Sequence, residues 1–125
     1  MKLLGHGIDL ASAERLKKIL ENGGDHFEKR VFSPGEAAYC RSRKDPYPHF
    51  AARFAAKEAY GKAMGLGLGA AGDMTEVEVV HNDKNAPSLR LSGRALEIFQ
   101  EKGGSEIFLS LSHEGDLAMA SVILT

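Results

Sequence analysis

Apolar and polar positions alternate from Lys2 to Leu10, which predicts a first strand with Gly5, Gly7 and Asp9 on one face and His6, Ile8 and Leu10 on the other. Glycines inside a strand mark a bulge or the close approach of another backbone, so an acid is presented beside a cleared surface. The period then becomes helical. Ser12 caps a helix to about Glu21 with Leu16, Ile19 and Leu20 at helical spacing, and Asn22-Gly23-Gly24 ends it. Asp25 caps a short helical turn that carries Phe27, Val31 and Phe32 inward and leaves Lys29 and Arg30 outward. Ser33-Pro34-Gly35-Glu36 is the best-marked helix start in the chain, with Ser at the cap, Pro at the first helical position and Glu three residues after the Ser. That helix runs to about Arg43, and Asp45-Pro46-Tyr47-Pro48 breaks the chain after it.

The next stretch, Ala51 to Lys62, is a strongly favoured helix of Ala, Lys and Glu, closed by Gly65 in a left-handed position. Phe54, Glu58 and Lys62 share one face, with Arg53 and Lys57 on the adjacent stripe. Six alanines, Ala51, Ala52, Ala55, Ala56, Ala59 and Ala63, suit a helix packed closely on other elements, so its charged stripe lines a site. Beyond it, Gly65-Leu66-Gly67-Leu68-Gly69 lets a backbone lie close to a ligand.

Alternation returns in the second half. Thr75 to His81 is a strand with Val77 and Val79 on one face, Asn82 to Pro87 a turn, and Ser88 to Leu91 a return strand. Ser92 caps a helix through about Glu101 that buries Ala95, Leu96 and Phe99. Ile107, Leu109 and Leu111 alternate with Phe108, Ser110 and Ser112, and His113-Glu114-Gly115-Asp116 turns the chain with His113 at a strand end. Leu117 to Leu124 is nearly all apolar, a strand buried on both faces or covered by a partner. The order β-ααα-ββ-α-ββ describes an α+β domain, residues 1–125 as one unit, with a mostly antiparallel sheet and helices.

Composition narrows the class. One cysteine, Cys40, excludes an intrachain disulfide framework and a thiolate zinc site, and no apolar run approaches the roughly 20 residues that span a bilayer. The N-terminus is interrupted too early by Gly5 and His6 for a signal peptide, so the expected location is cytoplasmic and no membrane partner is expected. The net charge of −1 hides an asymmetry: residues 1–62 carry +4 and residues 63–125 carry −5. A basic half suits an anionic partner, and without interleaved aromatics it is a poor nucleic-acid signature, so no nucleic-acid partner is expected.

Four pieces together resemble one family. Gly5-His6-Gly7-Ile8-Asp9-Leu10, the block Arg53-Phe54-Ala55-Ala56-Lys57-Glu58-Ala59 with Lys62, the glycine run 65–69, and Ser110-Leu111-Ser112-His113 are similar to holo-acyl-carrier-protein synthases, in order and over essentially the whole chain. The resemblance implies transfer of the 4′-phosphopantetheine arm of coenzyme A to a serine of an apo acyl carrier protein in fatty acid biosynthesis, with release of adenosine 3′,5′-bisphosphate. It also implies Mg2+ and a homotrimer with active sites at subunit boundaries. Asp9 and Glu58 are then expected as metal ligands, the hard oxygen donors magnesium prefers. Glu58, directly or through water, is the candidate base, and Lys62 reaches a phosphate oxygen as the diphosphate bond breaks. Arg53, Lys57, Gly65, Gly67 and His113 are expected to bind coenzyme A, and Arg15, Lys18 and Arg30 to dock an acidic carrier.

The chain departs from the family's commoner forms at His6, where an apolar residue is usual, at Ala52 in place of glycine, at Leu66 in place of threonine, and at Asn85-Ala86-Pro87 in place of Gly-Lys-Pro. Leu66 supplies no hydroxyl to the cofactor. Two other readings stand beside it: a magnesium-dependent hydrolase of the diphosphate that uses the same Asp9, Glu58 and Lys62, and a trimeric coenzyme A-binding module or structural domain without turnover, in which Glu58→Ala would change nothing.

Overall fold

The computed structural model describes residues 2–67 and 69–125. The elements run β1 (Gly5–Ser12), α1 (Ala13–Glu21), α2 (Asp25–Val31), α3 (Pro34–Arg41), α4 (Tyr47–Ala63), a 3-10 turn (Met74–Glu76), β2 (Val77–His81), β3 (Pro87–Leu91), α5 (Gly93–Glu101), β4 (Ile107–Glu114) and β5 (Leu117–Leu124). The expected α+β class and antiparallel pairing hold throughout: β1, β5 and β4 form one sheet with β5 in the middle, and β2 pairs with β3 in a second. Four helices rather than three separate β1 from β2, because the turn at Asp25 is a complete helix. Gly24, not Asp25, occupies its cap.

Helix α4 lies along β1 and β5. Ala51, Ala55, Ala56 and Ala59 are fully buried there, as are Ala120 and Val122 beneath them. The approach is closer than any side chain on β1 would allow. A Cβ at Gly7 would overlap the carbonyl oxygen of Ala59, and one at Gly5 the carbonyl oxygen of Ala63. The glycines of β1 are therefore spacers, and the alternation that places them on one face places Asp9 on the same face, beside α4.

Local chemistry accounts for most of the differences from the expected boundaries. Helix α4 begins at Tyr47, because Pro46 and Pro48 stand at its cap and in its first turn, where no intrahelical N–H bond is forfeited. Asp73 accepts from the Thr75 N–H and Glu76 reaches back to the Asp73 N–H, so residues 74–76 wind into a turn and β2 starts at Val77. On α5, Leu96 is exposed and Ile98 packs on the core instead. The chain reverses at Gly115-Asp116, with His113 and Glu114 still paired in β4. The Ser33 capping box is present as expected.

Strand β5 is buried only on the side facing α4, through Ala118, Ala120, Val122 and Leu124. On the other side of the sheet Ile8, Leu10, Phe108, Leu117, Met119 and Ile123 are exposed, with His6 in register beside Ile123. Among the described residues no helix is long and apolar enough to cross a membrane.

The Gly7→Ala substitution is expected to cost about 3 kcal/mol or more, since the new methyl must push α4 away from the sheet. Urea unfolding measures it, and an unchanged midpoint would show that the helix is not seated on the strand as described.

Candidate active site

Asp9 comes from β1 and Glu58 and Lys62 from successive turns of α4, so the glycine-mediated contact between these elements is what assembles them. The Lys62 ammonium donates to Asp9 Oδ1 at 3.0 Å and to the Ile8 carbonyl at 3.1 Å. Burial pushes the Glu58 carboxyl above its usual range, the negative charge of Asp9 adds to the shift, and Lys62 opposes it. Two partly buried carboxylates that repel one another suit a divalent cation, which would remove the repulsion. Among the described residues no group of three or more His, Cys, Asp or Glu side chains converges. A pair of carboxylates leaves positions for water and phosphate oxygens, the coordination that magnesium favours.

Lys57 is not where the sequence reading puts it. It is 2% exposed, and its ammonium donates to Glu36 Oε1 at 2.7 Å, the Met74 carbonyl at 2.9 Å and the Val77 carbonyl at 2.7 Å. All three protons are used, so it has none for a phosphate. Burial lowers its pKa, with Glu36 acting against the shift. Glu36 also accepts from the backbone N–H groups of Ser33 and Val79. The capping motif identifies Glu36 locally, but nothing local identifies its partner 21 residues away.

Arg53 is 4% exposed and stacks on the Tyr39 ring at 4.3 Å. It donates to the His49 carbonyl at 3.3 Å, and its Nε has no partner among the described residues. Arg43 lies 5.8 Å from the same ring. Burial and the Arg53 charge hold His49 and His81 below the usual imidazole range, with Arg43 adding to the shift at His49. This is a corner rich in cationic and imidazole groups, built to receive negative charge. His49 stands one helical turn before Arg53, a spacing visible in the sequence; Tyr39 and His81 join only through the fold.

His113 stands with this corner and not with Asp9. It lines a shallow depression of about 150 Å3 with Pro48, His49, Ala52, Leu111 and Ser112. Asp9 pairs with Ala120 and His113 with Ala118, on opposite sides of β5, so at about 4.8 Å per strand the two lie roughly 10 Å or more apart. One chain does not bring them together.

Gly65 closes α4 at φ 73°, with the Leu66 N–H on the Gly61 carbonyl at 3.0 Å. Open space lies beside Gly65 and Gly67, while Leu68 of the same run lies outside the described residues. Of the docking candidates, Arg30 edges a cavity of about 480 Å3 lined by Phe27, Val31, Phe54, Gly69, Asp73 and Met74. Arg15 is exposed on α1. Lys18 pairs with Glu14 and faces a different groove with Glu21, Asp45 and Asp116, so it does not join Arg30.

The raised Glu58 carboxyl has a consequence for stability. The native chain binds that proton more tightly than the unfolded chain, so the associated stability is present at low pH and is lost as pH rises from about 4.5 through the raised value. At pH 7 in chelator, Glu58→Gln is expected to melt at or above the wild-type temperature. A clear drop would mean that ionised Glu58 holds the fold together.

Residues 5–121 match the 4′-phosphopantetheinyl transferase superfamily. A holo-[acyl-carrier-protein] synthase from Trichlorobacter lovleyi is 45% identical over 98% of this chain and 97% of its own. Another, from Syntrophus aciditrophicus, is 45% identical over 96% and 94%. The crystal structure of the Neisseria meningitidis holo-[acyl-carrier-protein] synthase superposes with a TM-score of 0.91 at 29% identity, covering 99% of each chain. The Helicobacter pylori enzyme in complex with coenzyme A does so at 0.84 and 29%, covering 96% of this chain and 99% of its own. The carboxylate pair on a glycine-spaced strand and an alanine-rich helix thus sits in a chain that belongs to the 4′-phosphopantetheinyl transferase superfamily and, within it, to the holo-[acyl-carrier-protein] synthases.

Proposed function

We propose that this chain transfers the 4′-phosphopantetheine arm of coenzyme A to a serine hydroxyl of an acidic apo acyl carrier protein, with residues 1–125 acting as one catalytic domain in the cytoplasm. The observation that carries the reading is the convergence of Asp9, Glu58 and Lys62, held by the contact of β1 with α4. The serine oxygen bonds to the pantetheine-side phosphorus, the bond from that phosphorus to the bridging oxygen breaks, and adenosine 3′,5′-bisphosphate leaves. Glu58 takes the serine proton, directly or through a water; a carboxylate raised above its usual range by burial and by Asp9 is a stronger base than an ordinary one. Lys62 moves from Asp9 to a phosphate oxygen as negative charge builds on the leaving group. Asp9 and Glu58 would hold Mg2+, which when bound neutralises and orients the diphosphate.

The Arg53 corner suits a further phosphate of coenzyme A. Its guanidinium is buried, its Nε has no partner among the described residues, and an anion would supply the missing acceptor. The cavity at Arg30 and Phe54 suits the carrier. It opens one turn of α4 before Glu58, its lining is mainly apolar with Arg30 and His26 set against Asp73, and an acidic amphipathic segment would meet the Arg30 side of that surface.

A homotrimer reconciles the separation of His113 from Asp9. The apolar outer face of the sheet, with Ile8, Leu10, Phe108, Met119 and Ile123, is the surface a second and third copy would cover. His113 and the Arg53 corner of one copy would then complete the site begun by Asp9 and Glu58 of the next. Sedimentation is expected to give three chains at working concentration, and a monomer would remove this arrangement.

Intact-mass spectrometry of an apo carrier incubated with the protein, coenzyme A and magnesium tests the reaction. The carrier is expected to gain one phosphopantetheine arm, and none in chelator. Asp9→Ala and Glu58→Ala are each expected to abolish the gain while melting near wild type. Adenosine bisphosphate released without a carrier would instead establish hydrolysis.

A further inference from the structure

The buried lysine beside Glu58 has a task that the proposed reaction does not assign. The turn 74–76 forms one wall of the cavity at Phe54, through Met74 and the adjoining Asp73. On its far side the turn is anchored to α5, whose first N–H groups donate to the Glu76 carboxylate from Arg94 and Ala95 at 3.2 Å each. Toward α4, among the described residues, the hydrogen bonds to this wall come from Lys57 alone, at the Met74 and Val77 carbonyls. The chain leading into the wall takes backbone that favours glycine, with φ of 85° at Gly69 and 119° at Gly72. Among the described residues no other side chain of α4 hydrogen-bonds to this turn; β2 beyond it is tied to α3, through the Val79 N–H on Glu36 and the Ser33 hydroxyl on Glu78.

A buried ion pair is a poor choice if stability alone is at stake, since well-packed apolar residues of the same volume usually do as well or better. What Lys57 does that a methionine could not is fix position: three acceptors, one on α3, one on the turn and one on β2, meet at one nitrogen on α4. Resting on the carrier-docking reading of that cavity, we infer that Lys57 is a positioning residue for the carrier, setting the distance between the Met74 wall and the Phe54–Glu58 face of α4. Glu36 is its counter-charge and not itself part of the wall.

The test compares wild type, Glu36→Gln, and the neutral double variant Lys57→Met with Glu36→Gln. Apo carrier binding and coenzyme A binding are measured by calorimetry, with thermal unfolding and transfer kinetics alongside. In the double variant the carrier Kd and KM are expected to rise about tenfold, with coenzyme A binding within about twofold of wild type. Glu36→Gln, which keeps both carbonyl tethers, is expected to bind the carrier within about twofold of wild type even though its melting temperature falls. A double variant with wild-type carrier binding, or a Glu36→Gln that weakens carrier binding as much as the double variant does, overturns the inference.

Should the double variant not fold, Thr75→Gly loosens the same turn from outside by removing the hydroxyl that donates to Asp73 at 2.7 Å. Weakened carrier binding with coenzyme A unaffected supports the inference, and unchanged carrier binding overturns it. Because binding is read directly, wild type that binds the carrier without modifying it refutes the transferase reading and leaves this comparison intact. Wild type that binds no carrier refutes both.

Discussion

The seating of α4 on β1 is the constraint on which the rest depends. Helix and strand touch backbone to backbone because Gly5 and Gly7 offer no Cβ and the helix offers alanine in return. Once that distance is set, strand alternation and helix periodicity leave Asp9, Glu58 and Lys62 few other places to be. The geometry of the site is thus written into residues that carry no chemistry of their own. The cost is a carboxylate pair under mutual repulsion, and the same repulsion equips the pair to hold a cation.

Charge elsewhere in the molecule is sorted by burial. Lys57 and Glu36 neutralise one another inside, and all three donors of the ammonium are engaged, which is how a buried charge persists. Arg53 is buried without a carboxylate partner and shares its corner with Arg43, His49 and His81. The contrast separates two cationic positions one turn apart on α4: Lys57 closes a structural network, whereas the Arg53 Nε has no partner among the described residues. The exposed apolar face of the sheet is a third feature left open by a single chain, beside the separation of His113 from Asp9.

What was legible in the sequence was whatever depends on near neighbours. The Ser33 capping box, the helix closure at Gly65, the alternation of β1 and β4, and the antiparallel α+β order all follow from residues within a few positions of one another. The start of α4 was misplaced because Pro46 and Pro48 read as a break, although prolines are tolerated in a first helical turn. The start of β2 was misplaced because the reciprocal bonds of Asp73 and Glu76 override the alternation that begins at Thr75. Lys57 was misread for a different reason. On the helix it occupies the same charged stripe as Arg53, and only the tertiary fold shows that α3 and the 74–77 segment cover that side. Whether the docking candidates Lys18 and Arg30 share a face is likewise set by the tertiary fold, and α1 turns Lys18 toward Glu14 and a groove apart from Arg30.

The claim at the centre of this account is that Asp9 and Glu58 act on one divalent cation. Electron paramagnetic resonance of Mn2+, as a stand-in for Mg2+, titrated into the protein with coenzyme A present, measures this directly. The account expects one tightly bound ion per chain, lost in Asp9→Asn and in Glu58→Gln alike. Binding that persists undiminished in either variant would contradict it.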